Sequence, residues 1–252
     1  GSMAVSDVIL DVPLACPVSL HDTLWMMPSI GIRSSILSFE SIPTSVIDTT
    51  PRDLTVFPMV FRLSDSILYQ PDGSRWTHGL LATGKLASDL REITSEDFGA
   101  EFGIFSGFQI HNLMSIGATF GASLSDRENQ FRPGICLDWR IHDDLALQIA
   151  GANWSLRYTT DAKRSISLRG FSTSEIWNML DAADETLTLK HASYRIGCFL
   201  EQPLTETLSL SLGAGFTLNN RIKLDDMYGE SVVNAHLDDG PFVELGLRIL
   251  AW

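Results

Sequence analysis

His191 and Ser193 stand two residues apart in the run Lys190-His191-Ala192-Ser193-Tyr194-Arg195. In an extended chain that spacing puts an imidazole and a hydroxyl on one face. The pair is the minimum for a nucleophile and its general base, and a third group that orients the base normally completes such a site. No orienting partner is evident in the sequence, so ordinary polar lining competes with catalysis. A second set is made of charges. Glu101, Asp138, Arg140, Arg157, Arg169, Arg195, Glu201, Glu244 and Arg248 each fall on the polar side of an alternating segment. Guanidinium and carboxylate groups gathered in one space pair in bidentate fashion. Such a set either fills and stiffens that space or forms a constriction that selects charged solutes. The remaining histidines, His21, His78, His111, His142 and His236, have no metal-ligand spacing. Asp225-Asp226 and Asp238-Asp239 read as solvated acidic loops, so no metal site and no cofactor is expected.

The elements that must hold these groups are strands. Leu208, Leu210, Leu212, Ala214, Phe216 and Leu218 alternate with Ser209, Ser211, Gly213, Gly215 and Thr217. A period of two makes one face apolar and the other small and polar. The same alternation runs through 114–124, 134–141 and 242–249. Segments of about ten residues are long enough to cross a bilayer as tilted strands. Strands are predicted near 30–39, 54–66, 75–88, 98–110, 114–125, 131–141, 145–151, 153–160, 165–178, 186–201, 207–223 and 235–250. Residues 145–160 read as a hairpin turning at Gly151-Ala152. Turns alternate between short ones and longer acidic ones near 89–97 and 224–234, and long loops belong outside the cell. Trp76, Trp139, Trp154, Tyr158, Trp177 and Tyr194 suit interfacial girdles. The fold class expected is all-β: an antiparallel transmembrane β-barrel of about 12 strands, with a short non-barrel N-terminal segment.

Gly1-Ser2-Met3 reads as a cloning scar. Residues 4–29 do not alternate cleanly and contain Pro13, Pro17 and Pro28, so they are expected to form a periplasmic or plug-like segment, with the barrel over 30–252. Pro58 inside a strand calls for a bulge or an unpaired position. The formal net charge of −13 over 252 residues excludes a phosphate-tracking surface, so no nucleic acid partner is expected. Cys16, Cys136 and Cys198 have neither metal spacing nor an obvious pairing.

The runs Leu208–Phe216, Asn219-Asn220-Arg221 and Gly240–Arg248, with Pro133-Gly134, His142-Asp143-Asp144 and Leu156-Arg157-Tyr158, resemble a family of outer-membrane β-barrel proteins of unknown function. The resemblance covers roughly 130–252. It implies a membrane barrel and carries no catalytic residues. His191-x-Ser193 is also similar to the His-x-Ser of outer-membrane phospholipase A. That motif continues Asn-Gly, whereas Tyr194-Arg195 follow here.

The expected location is the bacterial outer membrane, with outer-membrane lipids, the barrel-assembly machinery and a small charged solute as partners. The leading function is a narrow charge-lined pore or solute-binding barrel. The alternatives are a lipid-modifying enzyme using His191 and Ser193, and a sealed structural or adhesion barrel. Oligomeric state is left open.

Overall fold

Along Leu208–Asp225, Leu212 and Phe216 turn outward and are 46% and 62% exposed, while Gly213 and Thr217, each the next residue along, are buried. In the computed structural model of the protein this two-sidedness recurs around a closed wall. The structure describes residues 2–13, 18–42, 52–56, 59–88, 90, 93–125, 129–160, 164–180, 186–225, 228 and 230–249. Pro58, Cys16 and the C-terminal Trp252 lie outside the described residues.

Seventeen strands are present among them. They are β1 (Ser2–Pro13), β2 (Val18–His21), β3 (Leu24–Met26), β4 (Ser29–Ile42), β5 (Arg52–Val56), β6 (Met59–Tyr69), β7 (Trp76–Ser88), β8 (Phe98–His111), β9 (Met114–Ser125), β10 (Asn129–His142), β11 (Leu145–Ala150), β12 (Asn153–Thr159), β13 (Ser165–Leu180), β14 (Thr186–Pro203), β15 (Leu208–Asp225), β16 (Ser231–His236) and β17 (Gly240–Ile249). Thirteen close the barrel, in the order β1-β4-β6-β7-β8-β9-β10-β11-β12-β13-β14-β15-β17 and back to β1. The other four, β2, β3, β5 and β16, extend it at its rims. The only helical element described is a single 3-10 turn at Ser95–Asp97, and among the described residues no helix is long and apolar enough to cross a membrane.

Two expectations are corrected here. The barrel has thirteen strands rather than about twelve, and it is mixed rather than wholly antiparallel. The residues expected to form a separate N-terminal segment supply the difference. β1 lies antiparallel to β4, with Asp7 opposite Ser35, and parallel to β17, with Asp7 opposite Glu244. The cause is parity: strands joined by hairpins alternate in direction, so an odd number brings the first and last together pointing the same way. Closure leaves no strand of the wall unpaired along its whole length on either side.

One rim has short connections at 70–75, 112–113, 143–144, 160–164 and 204–207. The other carries the longer ones at 89–97 and 226–239. At this second rim β13, β14 and β15 outreach their neighbours, and Asn178 of β13 pairs with Ser88 of β7 across the mouth. Val60, Ala87, Trp177, Leu189, Ile222 and Leu237 belong to one buried apolar cluster there. Opposite walls therefore pack on one another at the long-loop rim. Burial of each large side chain in such a cluster contributes roughly 1.5–3 kcal/mol.

A bulge allows this. Asn219 has φ +58°, the left-handed region that asparagine tolerates better than most residues. The inner row of β15 switches there from odd residues ending at Thr217 to Asn220, Ile222 and Leu224. Asn220 is fully buried and its Nδ2 donates to Asp238 O at 3.1 Å and to Thr217 Oγ1 at 3.3 Å. Thr217 Oγ1 in turn donates to Gly240 O at 2.8 Å. These bonds pin the start of β17 against the bulge.

Candidate functional site

The inner wall is built by alternation, and cross-strand register decides what meets. Arg169 of β13 projects inward and its Nη2 donates to Glu201 Oε1 of β14. Arg169 Nε donates to Ser167 Oγ at 2.7 Å, and Ser165 Oγ donates to Glu201 Oε2 at 3.2 Å. The Arg169 guanidinium also lies 4.6 Å from the Phe199 ring centroid. Arg195, only 2% exposed, lies 5.5 Å from the Phe242 ring. Phe171, Phe199 and Phe242 form a triangle with centroids 6.0–6.2 Å apart. A cation held on an aromatic face gains about 0.5–2 kcal/mol, more when water is excluded. Arg195, Phe199 and Phe242 are buried in this sector.

Glycines make room for the rings. Phe199 stands directly opposite Gly213 and Phe242 opposite Gly215. A Cβ on Gly213 would meet the Phe199 ring at 2.3 Å, and one on Gly215 would meet the Phe242 ring at 2.8 Å. Phe105 covers Gly79 in the same way from β8 to β7. On the outer surface Trp154 covers Gly170, beside the Tyr194 hydroxyl, which donates to Ala152 O at 3.0 Å. Pairing a ring with a cross-strand glycine hides the bare backbone and fixes register.

The nine charges do not gather in one place. Asp138 and Arg140 line a polar vestibule of 350 Å³ at the short-turn rim, with Gln109 and His111. Gln148 Nε2 donates to Asp138 Oδ2 at 3.2 Å. Arg169 and Glu244 line a second space of 390 Å³ with Arg33 and Gln148, so residues of opposite walls share it. Arg195 is buried behind Phe242. Glu101 stands apart on β8 between Thr83 and Ser123. Arg157 faces inward opposite Ser167 and Ala146, and Arg248 sits on β17 near its end, opposite Ser209. Arg33 and Arg62 of β4 and β6 join the inner rows without having been singled out. Their signal was available in Gly31, Arg33 and Ser35, which alternate with Ile30 and Ile32.

His191 and Ser193 are 2% and 6% exposed on the inner face of β14. Ser193 Oγ shares a hydrogen bond of 2.8 Å with Thr173 Oγ1, and the His191 ring stacks on Trp177 at 6.5 Å. The hydroxyl therefore faces Thr173 within the buried wall. Trp177, expected in an outer girdle, lies on the inner row of β13 at 3% exposure. Trp76, Trp139 and Tyr158 do face outward at the short-turn rim, at 47%, 38% and 50% exposed. No group of three or more His, Cys, Asp or Glu suited to a metal is found among the described residues.

No protein-family model and no curated protein matches the chain. Among solved structures, a mutant of the ferric enterobactin receptor from Pseudomonas aeruginosa aligns over 90% of this chain and 52% of its own, at 11% identity and a TM-score of 0.29. The chain thus spans about half the length of that receptor.

Proposed function

We propose that this chain is an outer-membrane β-barrel that binds and sparingly passes a small anionic solute. The observation that carries the membrane reading is the outer surface. Leu80, Phe102, Ile104, Ile135, Phe216 and Val243 are each at least 50% exposed, on outward rows of several different strands. Water-soluble proteins rarely expose apolar surface on that scale. A closed barrel meanwhile satisfies most of its backbone internally, as a bilayer requires. The expected location in a bacterial outer membrane rests on this surface and on the rim with long loops.

The anionic preference rests on the inner wall. Arg33, Arg62, Lys85, Arg132, Arg140, Arg157, Arg169, Arg195 and Arg248 are basic and inward in register, against Glu101, Asp138, Glu201 and Glu244. Adding Asp7, Asp11 and Glu175, whose positions fall on inner rows, still leaves nine basic residues against seven acidic ones. A chain of net charge −13 therefore has a lumen of opposite sign. Rings of basic side chains favour anions in pores. The packed cluster at the long-loop rim favours occlusion over free flow.

The test is current through the refolded protein in a planar bilayer under a salt gradient. Small, intermittent steps with anion preference are expected. Large steady steps with cation preference would sink the reading.

A further inference from the structure

The barrel wall is not of even height. β11 and β12 have six and seven residues, between neighbours of 14 and 16. β11 pairs with β10 only as far as Cys136, and β12 pairs with β13 only as far as Gly170. Beyond those points, residues 129–135 of β10 pair in register with β9 alone, and residues 171–177 of β13 with β14 alone. The wall therefore has a notch on its long-loop half. Its floor is the hairpin tip at Gly151, which has φ +60°. Asn153 Oδ1 accepts from the Ser172 N–H at 2.9 Å, so the tip is tied down where β13 continues upward. Phe131 and Ile135, 63% and 66% exposed, flank the notch on the outer surface.

A cavity of 620 Å³ leads from the barrel interior to this notch. Leu68, Leu81 and Phe105 line it on one side, and Pro133, Gly151 and Ser172 at the notch. Its volume falls in the range of about 300–1,000 Å³ typical of single-ligand sites. Among the described residues that line it, Arg132 is the one charged group, and no carboxylate accompanies it. Arg132 is exposed and donates to Gln130 Oε1 on the same strand.

We propose that this cavity holds one single-chain amphiphile with an anionic head. The chain enters sideways through the notch from the membrane, and the head rests on Arg132. An apolar chamber that opens onto an apolar outer surface suits an acyl chain, and an unopposed guanidinium suits a carboxylate or phosphate. The cluster packs opposite walls together on the axial route of that half, while the notch opens directly onto the apolar outer surface. The sideways route rests on the membrane reading above; the cavity itself does not.

The probes are palmitate and hexadecanol, which share a chain and differ in charge. The protein is delipidated, reconstituted in lipid vesicles with each probe, extracted, and examined by native mass spectrometry. Protease resistance of the same vesicles reports insertion. Gly121→Phe projects a ring into the cavity from a position where a Cβ meets nothing nearer than 3.8 Å, and Gly103→Leu is a second filler, with its nearest contact at 3.5 Å. Wild type is expected to retain one palmitate per chain, and either filler to weaken retention about tenfold or more. Arg132→Gln is expected to weaken palmitate about tenfold and to leave hexadecanol unchanged. Equal retention in both fillers, or none by an inserted wild-type barrel, overturns the proposal and leaves the membrane reading standing. Failure to insert overturns the membrane reading and the sideways route together.

Discussion

Phe199 shows how much one side chain decides in this wall. It lies over Gly213, carries the Arg169 guanidinium on its face and touches the two other rings of the triangle. Gly213→Val is expected to displace that ring and to destabilise the barrel by about 1–3 kcal/mol, because a Cβ there already meets the ring at 2.3 Å. Gly121→Ala is the matched control, since its added carbon meets nothing closer than 3.8 Å. Urea unfolding in lipid vesicles separates the two, and equal stabilities would refute the ring-on-glycine argument. Arg169→Ala leaves Glu201 with Ser165 as its remaining hydrogen-bond partner in the described wall. Both partners of the ion pair are about a quarter exposed, which tempers the penalty to about 1–3 kcal/mol. Arg169→Lys should recover less than half of it, because an ammonium neither forks nor stacks as a guanidinium does. The charges of this site were readable from alternation. The rings were not: an inward Phe199 between Cys198 and Leu200 looks like part of an apolar run, and only register shows the glycine that receives it.

At the scale of elements, alternation located strands well wherever one row was cleanly polar. Residues 98–110, 114–125 and 165–178 were predicted as strands and are found at Phe98–His111, Met114–Ser125 and Ser165–Leu180. The hairpin at 145–160 turns at Gly151 as read. β1 escaped because Val8-Ile9-Leu10 is continuously apolar, which hides the period of two. Its even row of Val8, Leu10 and Val12 nevertheless runs in phase, and the odd row carries Asp7 and Asp11. The parallel seam then follows from counting, not from any local signal. It is directly testable, because a one-residue slip in register moves a side chain to the opposite face. With the three native cysteines replaced by serine, Ser6→Cys with Val243→Cys, a registered pair, should cross-link on oxidation. Ser6→Cys with Glu244→Cys should not. Cross-linking of both pairs, or of neither, would refute the seam as described.

For the whole molecule, the two ends of the barrel have opposite characters. The short-turn rim opens on a polar vestibule with Asp138 and Arg140, while at the long-loop rim Trp177, Leu189 and Ile222 belong to a buried apolar cluster that joins opposite walls. Charge is divided in the same spirit, with an acidic chain overall and a basic excess on the inner rows. Neither division is visible in composition: the charge division comes from alternation along each strand, and the packed rim from strand length and bulge position, which bring distant walls into contact. If the cluster is what limits flow, loosening it should change how often the barrel conducts without changing which ions it prefers. Leu189→Ala removes a fully buried side chain at a cost of about 2–5 kcal/mol, which shifts the balance toward an open rim. Single-channel recording should then show longer openings with the anion preference of wild type intact. Arg140→Glu, at the exposed vestibule, should do the reverse, weakening anion preference while leaving open time unchanged. If Leu189→Ala altered selectivity, or Arg140→Glu altered open time alone, gate and filter would not be separate. The cluster would then be part of the conducting path, not its stopper.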